Sequence, residues 1–147
     1  MIRITVSESD FDAGLEISKI AERGGGAVAS FVGQVRGDKG LRALELEHYP
    51  AMTQKSLEAI ANQANEHWQL LGITIVHRVG RLAIGDQIVL VCTGSNHRQN
   101  ALEACSYIMD QLKTVAPFWK KQVFEDGTES WVEERPSDLK AAADWKQ

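Results

Sequence analysis

The stretch from His97 to Lys121, HRQNALEACSYIMDQLKTVAPFWKK, limits this chain more than any other. Ala101, Leu102, Cys105, Ile108, Met109 and Leu112 recur at the spacing of one buried helical face. Ser95 or Asn96 stands where a helix start is capped, and Pro117 stops the helix. The pattern predicts a helix over 97–113 lying on a core. Cationic or titratable groups sit at both ends, His97 and Arg98 at the start and Lys113, Lys120 and Lys121 at the finish. No acidic residue interrupts from Lys113 to Lys121. In a chain of formal net charge -4 this is a local positive field, and it suggests an anionic ligand. Lys113 has a plainer explanation, because a lysine in the last helical turn complements the dipole. Arg98 opposes the dipole at its end and needs a partner, for which a bound anion is one candidate.

Helix geometry restricts what those cations can share. A continuous helix puts His97 and Lys113 about 24 Å apart, whereas a pterin-sized ligand is on the order of 10 Å long. Either the two ends serve different sites, or a partner occupies one of them, or a symmetric dimer sets the start of one helix beside the end of its mate. The reading favours the isologous dimer. Lys113 and Lys120 are separated by Ala116-Pro117, and the proline turns the chain. Two readings of this pair stay open. They are ordinary solvated lysines, or crowding and burial beside Met109, Phe118 and Trp119 lower their pKa values and supply a neutral amine as base or nucleophile.

The remaining composition excludes several classes. At 147 residues, 44% hydrophobic and 24% charged, the chain reads as one globular domain with a sizeable core. A pI near 5.6 argues against broad nucleic-acid binding. MIRITVSESD lacks the basic and apolar regions of a signal peptide, and no apolar run approaches ~18 residues. No membrane span and a cytoplasmic location are expected. Cys92 and Cys105 lie in apolar runs without CxxC spacing, so buried free thiols are expected and no metal site.

The predicted order is β-α-β-β-α-β-β-α-β-β. Strands are expected at Ile2–Val6, Ala27–Val35, Leu41–Tyr49, Ile73–Val79 and Gln87–Cys92, and a hairpin of 121–124 with 130–133 around Asp126-Gly127. Helices are expected from about Asp12 to Arg23, ended by Gly24-Gly25-Gly26, and over Met52–Leu71 with a stripe of Leu57, Ile60, Ala61, Ala64 and Trp68. The glycine run fits neither GxxxxGK[ST] nor GxGxxG. Gly40 places a hairpin turn between the second and third strands, and Ala83–Asp86 reads as a turn. His48 lies on the apolar phase of its strand and reads as a hydrogen-bonded core or interface histidine. Arg36 opens a glycine-bounded loop, where a solvated arginine is the plainer reading and a ligand contact the other. The segment 137–147 reads as a docking helix or a frayed tail. Adjacent strands without intervening helices define α+β, a single domain over 1–147 with largely antiparallel sheet and packed helices.

"FVGQVRG", "LEHYPAMT", "SNHR" and "LKTVAPFWKK" together resemble one family, the large catalytic subunit of molybdopterin synthase, or MoaE, from about Gly26 to Asp138. The resemblance implies the family's α/β hammerhead fold and a sulfurtransferase without a cofactor of its own. Its substrate would be cyclic pyranopterin monophosphate. Sulfur would arrive on the C-terminal Gly-Gly thiocarboxylate of a ubiquitin-like, MoaD-like small subunit, and two transfers would build the dithiolene of molybdopterin. A central homodimer would carry one small subunit at each outer end. Lys113 and Lys120 match the family's catalytic lysines. His97, Arg98 and Arg36 match substrate-binding positions, Arg135 a further arginine near the site, and Phe31 and Met109 the pocket wall. Gln34 stands where a lysine is frequent. Gln122 stands where glutamate is frequent, which puts a carboxylate relay there in doubt. Two further classes compete, another transferase or hydrolase on a small phosphorylated metabolite, and a non-catalytic module docking a ubiquitin-like partner.

Overall fold

The computed structural model describes residues 1–37, 40–132 and 136–145. Its strands form two four-stranded sheets. The first takes β1 (Ile2–Ser7), β4 (Gly72–Arg78), β6 (Gln87–Ser95) and β2 (Ala27–Gln34), in that order. The second takes β5 (Gly80–Ala83), β3 (Leu41–His48), β7 (Phe118–Phe124) and β8 (Glu129–Trp131), also in that order. Only β1 and β4 run parallel; the other recorded pairs are antiparallel, as the α+β reading requires.

Helix α1 (Ala13–Ala21) covers one face of the first sheet, where Ile20, Val76, Leu90 and Cys92 bury together. Helices α2 (Pro50–Trp68) and α3 (Arg98–Thr114) cover the other face. The predicted α2 stripe is buried throughout, Leu57, Ile60, Ala61, Ala64 and Trp68 included. On α3 the buried face is rotated from the predicted one. Ala104 and Tyr107 are buried, and Leu102 is 58% exposed. Neither Ser95 nor Asn96 is the N-cap of α3. That position is His97, and the Ser95 hydroxyl accepts the His97 N–H at 3.2 Å.

Three other expectations are corrected. β2 and β3 do not form a hairpin, because they belong to different sheets. The β2–β6 ladder slips at Gly33/Gln34, and Val35 then exchanges backbone hydrogen bonds with the 85–86 turn. With Val35 pinned and only 2% exposed, the chain crosses to the second sheet. The residues after Val79 add a strand, β5, that was not predicted. It is four residues long and begins at a glycine of φ 85°, so it carries almost no periodic signal. β7 starts at Phe118 rather than Lys121, which places Lys120 inside a strand.

Helix α4 (Pro136–Ala143) lies against α3, where the Trp145 indole N–H donates to Asp110 Oδ2 at 2.6 Å and Gln111 Nε2 donates to the Ala142 carbonyl at 3.2 Å. None of the described helices is long and apolar enough to cross a membrane.

Gly25 carries the reversal from α1 into β2 at φ +92°. A Cβ there would meet the Leu71 side chain and stand 2.8 Å from the Ser95 carbonyl oxygen. Gly25→Ala is expected to cost on the order of 2–3 kcal/mol, read as a fall in urea midpoint without a change in slope. An unchanged midpoint would show that this turn relaxes freely.

Candidate functional site

Three antiparallel neighbours decide which cations can meet. β6 ends at Ser95, and α3 runs back over it. The Thr93 hydroxyl donates to the Ala101 carbonyl at 2.7 Å, the Cys105 thiol approaches the Val91 carbonyl at 3.8 Å, and Leu112 shares a core cluster with Val89. β2 is antiparallel to β6, with Ala27 opposite Ser95 and Gln34 opposite Gln87. The finish of β2 therefore lies beside the finish of α3. Arg36, just beyond β2, and Lys113, in the last turn of α3, belong to the same end of the molecule.

Lys120 belongs to that end too. Phe118 starts β7 and stacks on His77, which pairs with Val89 at the same end of the first sheet. Lys120 follows two residues later, on the same face of β7 as Phe118. Phe31 stands opposite Val91 on the edge strand β2 and is 42% exposed, and Met109 is half-buried against the α3 core.

His97 and Arg98 lie at the other end. They are exposed, and Arg98 opens the unbroken 17-residue helix whose last turn carries Lys113. One protomer does not bring the two groups together. Arg135 lies outside the described residues.

The run of positive charge is also divided. Strand alternation puts Lys121 on the face opposite Lys120. There Lys121 Nζ pairs with Glu45 at 3.0 Å and Glu129 at 3.4 Å, and Arg81 reaches Glu45 at 3.2 Å. The Lys121 hydrogen bond holds the Glu45 carboxyl below its ordinary pKa, and the Glu45 hydrogen bond raises Lys121. Lys121 is thus absorbed into an ion-pair network, a division that sequence spacing shows only once Lys120 and Lys121 are placed in a strand.

Both cysteines are buried. Burial pushes the Cys92 thiol up to about 12 and the Cys105 thiol up to about 11, so neither supplies a thiolate near neutral pH. Among the described residues no group of three or more His, Cys, Asp or Glu could hold a metal ion. His48 is the hydrogen-bonded histidine expected, with Nδ1 3.1 Å from the Thr53 hydroxyl. His77 was not singled out by the sequence. Its one visible signal is an imidazole in the apolar strand ITIVHRV.

The chain is thus an α+β domain whose Arg36, Lys113 and Lys120 fall at one end of the fold and whose two thiols are buried. A family model described as MoaE protein matches residues 6–115. A Ralstonia nicotianae protein named molybdopterin synthase catalytic subunit is 47% identical, over 99% of this chain and 85% of that one. The solved Burkholderia ambifaria molybdopterin biosynthesis MoaE protein superposes with a TM-score of 0.85 at 47% identity, covering 99% of this chain and 98% of that one. A Staphylococcus aureus molybdopterin synthase structure superposes with a TM-score of 0.77 at 35% identity, over 89% and 96%. The chain belongs to the MoaE family of molybdopterin synthase catalytic subunits.

Proposed function

We propose that this chain transfers sulfur from the C-terminal thiocarboxylate of a ubiquitin-like small subunit to cyclic pyranopterin monophosphate, forming the dithiolene of molybdopterin in the cytoplasm. The observation that carries the reading is the convergence of Arg36, Lys113 and Lys120 at one end of the fold, where an anionic substrate and a developing negative charge both find cations. Lys113 and Lys120 carry the proton transfers and stabilise that charge. Arg36 holds the phosphate, and Phe31 and Met109 form the wall on which the pterin rests. The sulfur arrives on the partner, so the chain needs no nucleophilic cysteine, and its two buried thiols fit that division of labour.

His97 and Arg98 enter the same site from a second copy. The central homodimer answers the separation along α3, and Arg135 is assigned to the substrate with them. The small subunit docks on the side that carries β7, where Tyr49, Met52 and Trp119 are 61%, 58% and 44% exposed and the Trp119 ring meets Tyr49 edge-on at 5.0 Å. An apolar group of this kind beside a catalytic strand suits a protein partner.

The test combines this chain, the thiocarboxylated small subunit and cyclic pyranopterin monophosphate, with the dithiolene product followed by mass spectrometry. The expected result is product with the parent chain and little with Lys113→Ala, while the small subunit binds both. No product despite partner binding would reduce the chain to a docking module or redirect it to another phosphorylated substrate.

A further inference from the structure

We propose that His77 is a positioning residue for Lys120. Its imidazole clamps Phe118 and so sets where the first residues of β7 aim the lysine. The inference rests on the reading of Lys120 as a reacting group. Along β4, Ile73, Ile75 and His77 point to one face, and the two isoleucines are fully buried. His77 continues that buried row at 6% exposure, where an imidazole costs more to desolvate than a third isoleucine would.

The geometry shows what the imidazole does there. The His77 and Phe118 rings stack with centroids 3.8 Å apart and planes 12° from parallel, the closest and flattest ring pair recorded among the described residues. The Arg78 carbonyl can only accept a hydrogen bond, so His77 Nδ1–H donates to it at 2.8 Å. That bond fixes both the tautomer and the ring plane. On the β3 side, His48 flanks Phe118 at 6.0 Å, and its own ring is tied to Thr53 of α2. Phe118 is therefore gripped by β4, β3 and α2 together.

The grip falls at the joint that matters. α3 finishes at Thr114, Val115 is its C-cap, and β7 begins at Phe118. Three residues thus reverse the chain between the two lysines. The placement of Lys120 relative to Lys113 depends on where Phe118 is held. Burial keeps His77 neutral, and the nearby charges of Lys120 and His48 also oppose its protonation. The clamp consequently adds no second positive charge beside the lysine. A stack serving stability alone would be indifferent to Lys120.

The test uses the full chain with its small subunit. Variants His77→Phe, His77→Leu and His77→Ala are made alone and combined with Lys120→Ala, with initial rates of product formation across substrate concentrations as the readout. His77→Phe, which keeps a ring against Phe118, should stay within about 3-fold of the parent kcat. His77→Leu and His77→Ala should each lower kcat at least ~10-fold, leaving KM and the small-subunit Kd unchanged. In the Lys120→Ala background the same changes should lower the rate no further, because residues acting through one group are non-additive. The proposal is overturned if His77→Leu keeps the parent kcat, if His77→Phe is as slow as His77→Leu, if the loss falls on KM or Kd, or if the losses add in full. Parent activity in Lys120→Ala alone would instead remove the reading of Lys120, a result that needs no His77 variant.

Discussion

Chains carrying Lys113→Ala, mixed with chains carrying Arg98→Ala, should recover about a quarter of the parent sulfur-transfer rate, although each variant alone loses on the order of 100-fold. Arg98 opens α3 and Lys113 lies in its last turn, with no break between them. The hydrogen bonds from Thr93 to Ala101 and from Cys105 to Val91 fix the helix antiparallel to β6, so neither end can swing toward the other. A small phosphorylated pterin cannot span that length. In a twofold dimer the end of one helix and the start of its mate can frame one substrate, twice. Random mixing makes about half of the dimers mixed, and each mixed dimer holds one site with both Lys113 and Arg98 and one site with neither. Half of a half gives the expected quarter. Both side chains are exposed, so truncation should leave the fold intact and make exchange of subunits the only variable. Recovery no greater than either variant alone would sink the shared site and assign the two ends of α3 to separate tasks.

The sequence makes the long elements legible because their periodicity survives any tertiary context. The α2 stripe and the apolar rows of β4 and β6 are buried where spacing put them. The family signature also sits on contiguous runs, so Lys113, Lys120, His97 and Arg98 stand out as candidates through the resemblance. What spacing cannot carry is the partition of strands between sheets. β2 and β3 are neighbours in sequence, yet one pairs with β6 and the other with β5 and β7, a choice made by the slip at Gly33/Gln34 and the burial of Val35. The same limit hides the division of the lysines. Lys120 and Lys121 read as one patch until β7 is extended back to Phe118, after which strand alternation sends one to the junction of the sheets and the other to Glu45. His77 was invisible for a related reason. A histidine inside an apolar strand acquires meaning only from the ring stacked on it, which comes from a residue far along the chain.

Acid should destabilise the protein through His77, and His77→Phe should remove that part of the loss. The folded chain holds His77 at a pKa of about 4 against an ordinary 6.5, with burial the largest cause. Above pH 6.5 the imidazole is neutral in both folded and unfolded chains and contributes nothing to the pH dependence. Below it the unfolded chain takes up a proton that the folded chain refuses until about pH 4, so stability is lost as the pH falls through this window. A shift of this size amounts to about 3 kcal/mol once both states are protonated. Phenylalanine keeps a ring against Phe118 and has no proton to take, so the stability difference between parent and variant should move by roughly 2 kcal/mol in favour of the variant between pH 7 and pH 4.5. Parent and variant differ at no other titratable position, so the difference reads the change at His77. Urea denaturation at the two pH values measures it, and a difference that does not change with pH would mean that His77 is not held neutral in the folded chain. The same burial that creates the acid sensitivity keeps charge away from Lys120, so stability at low pH is given up for an uncharged support beneath the lysine.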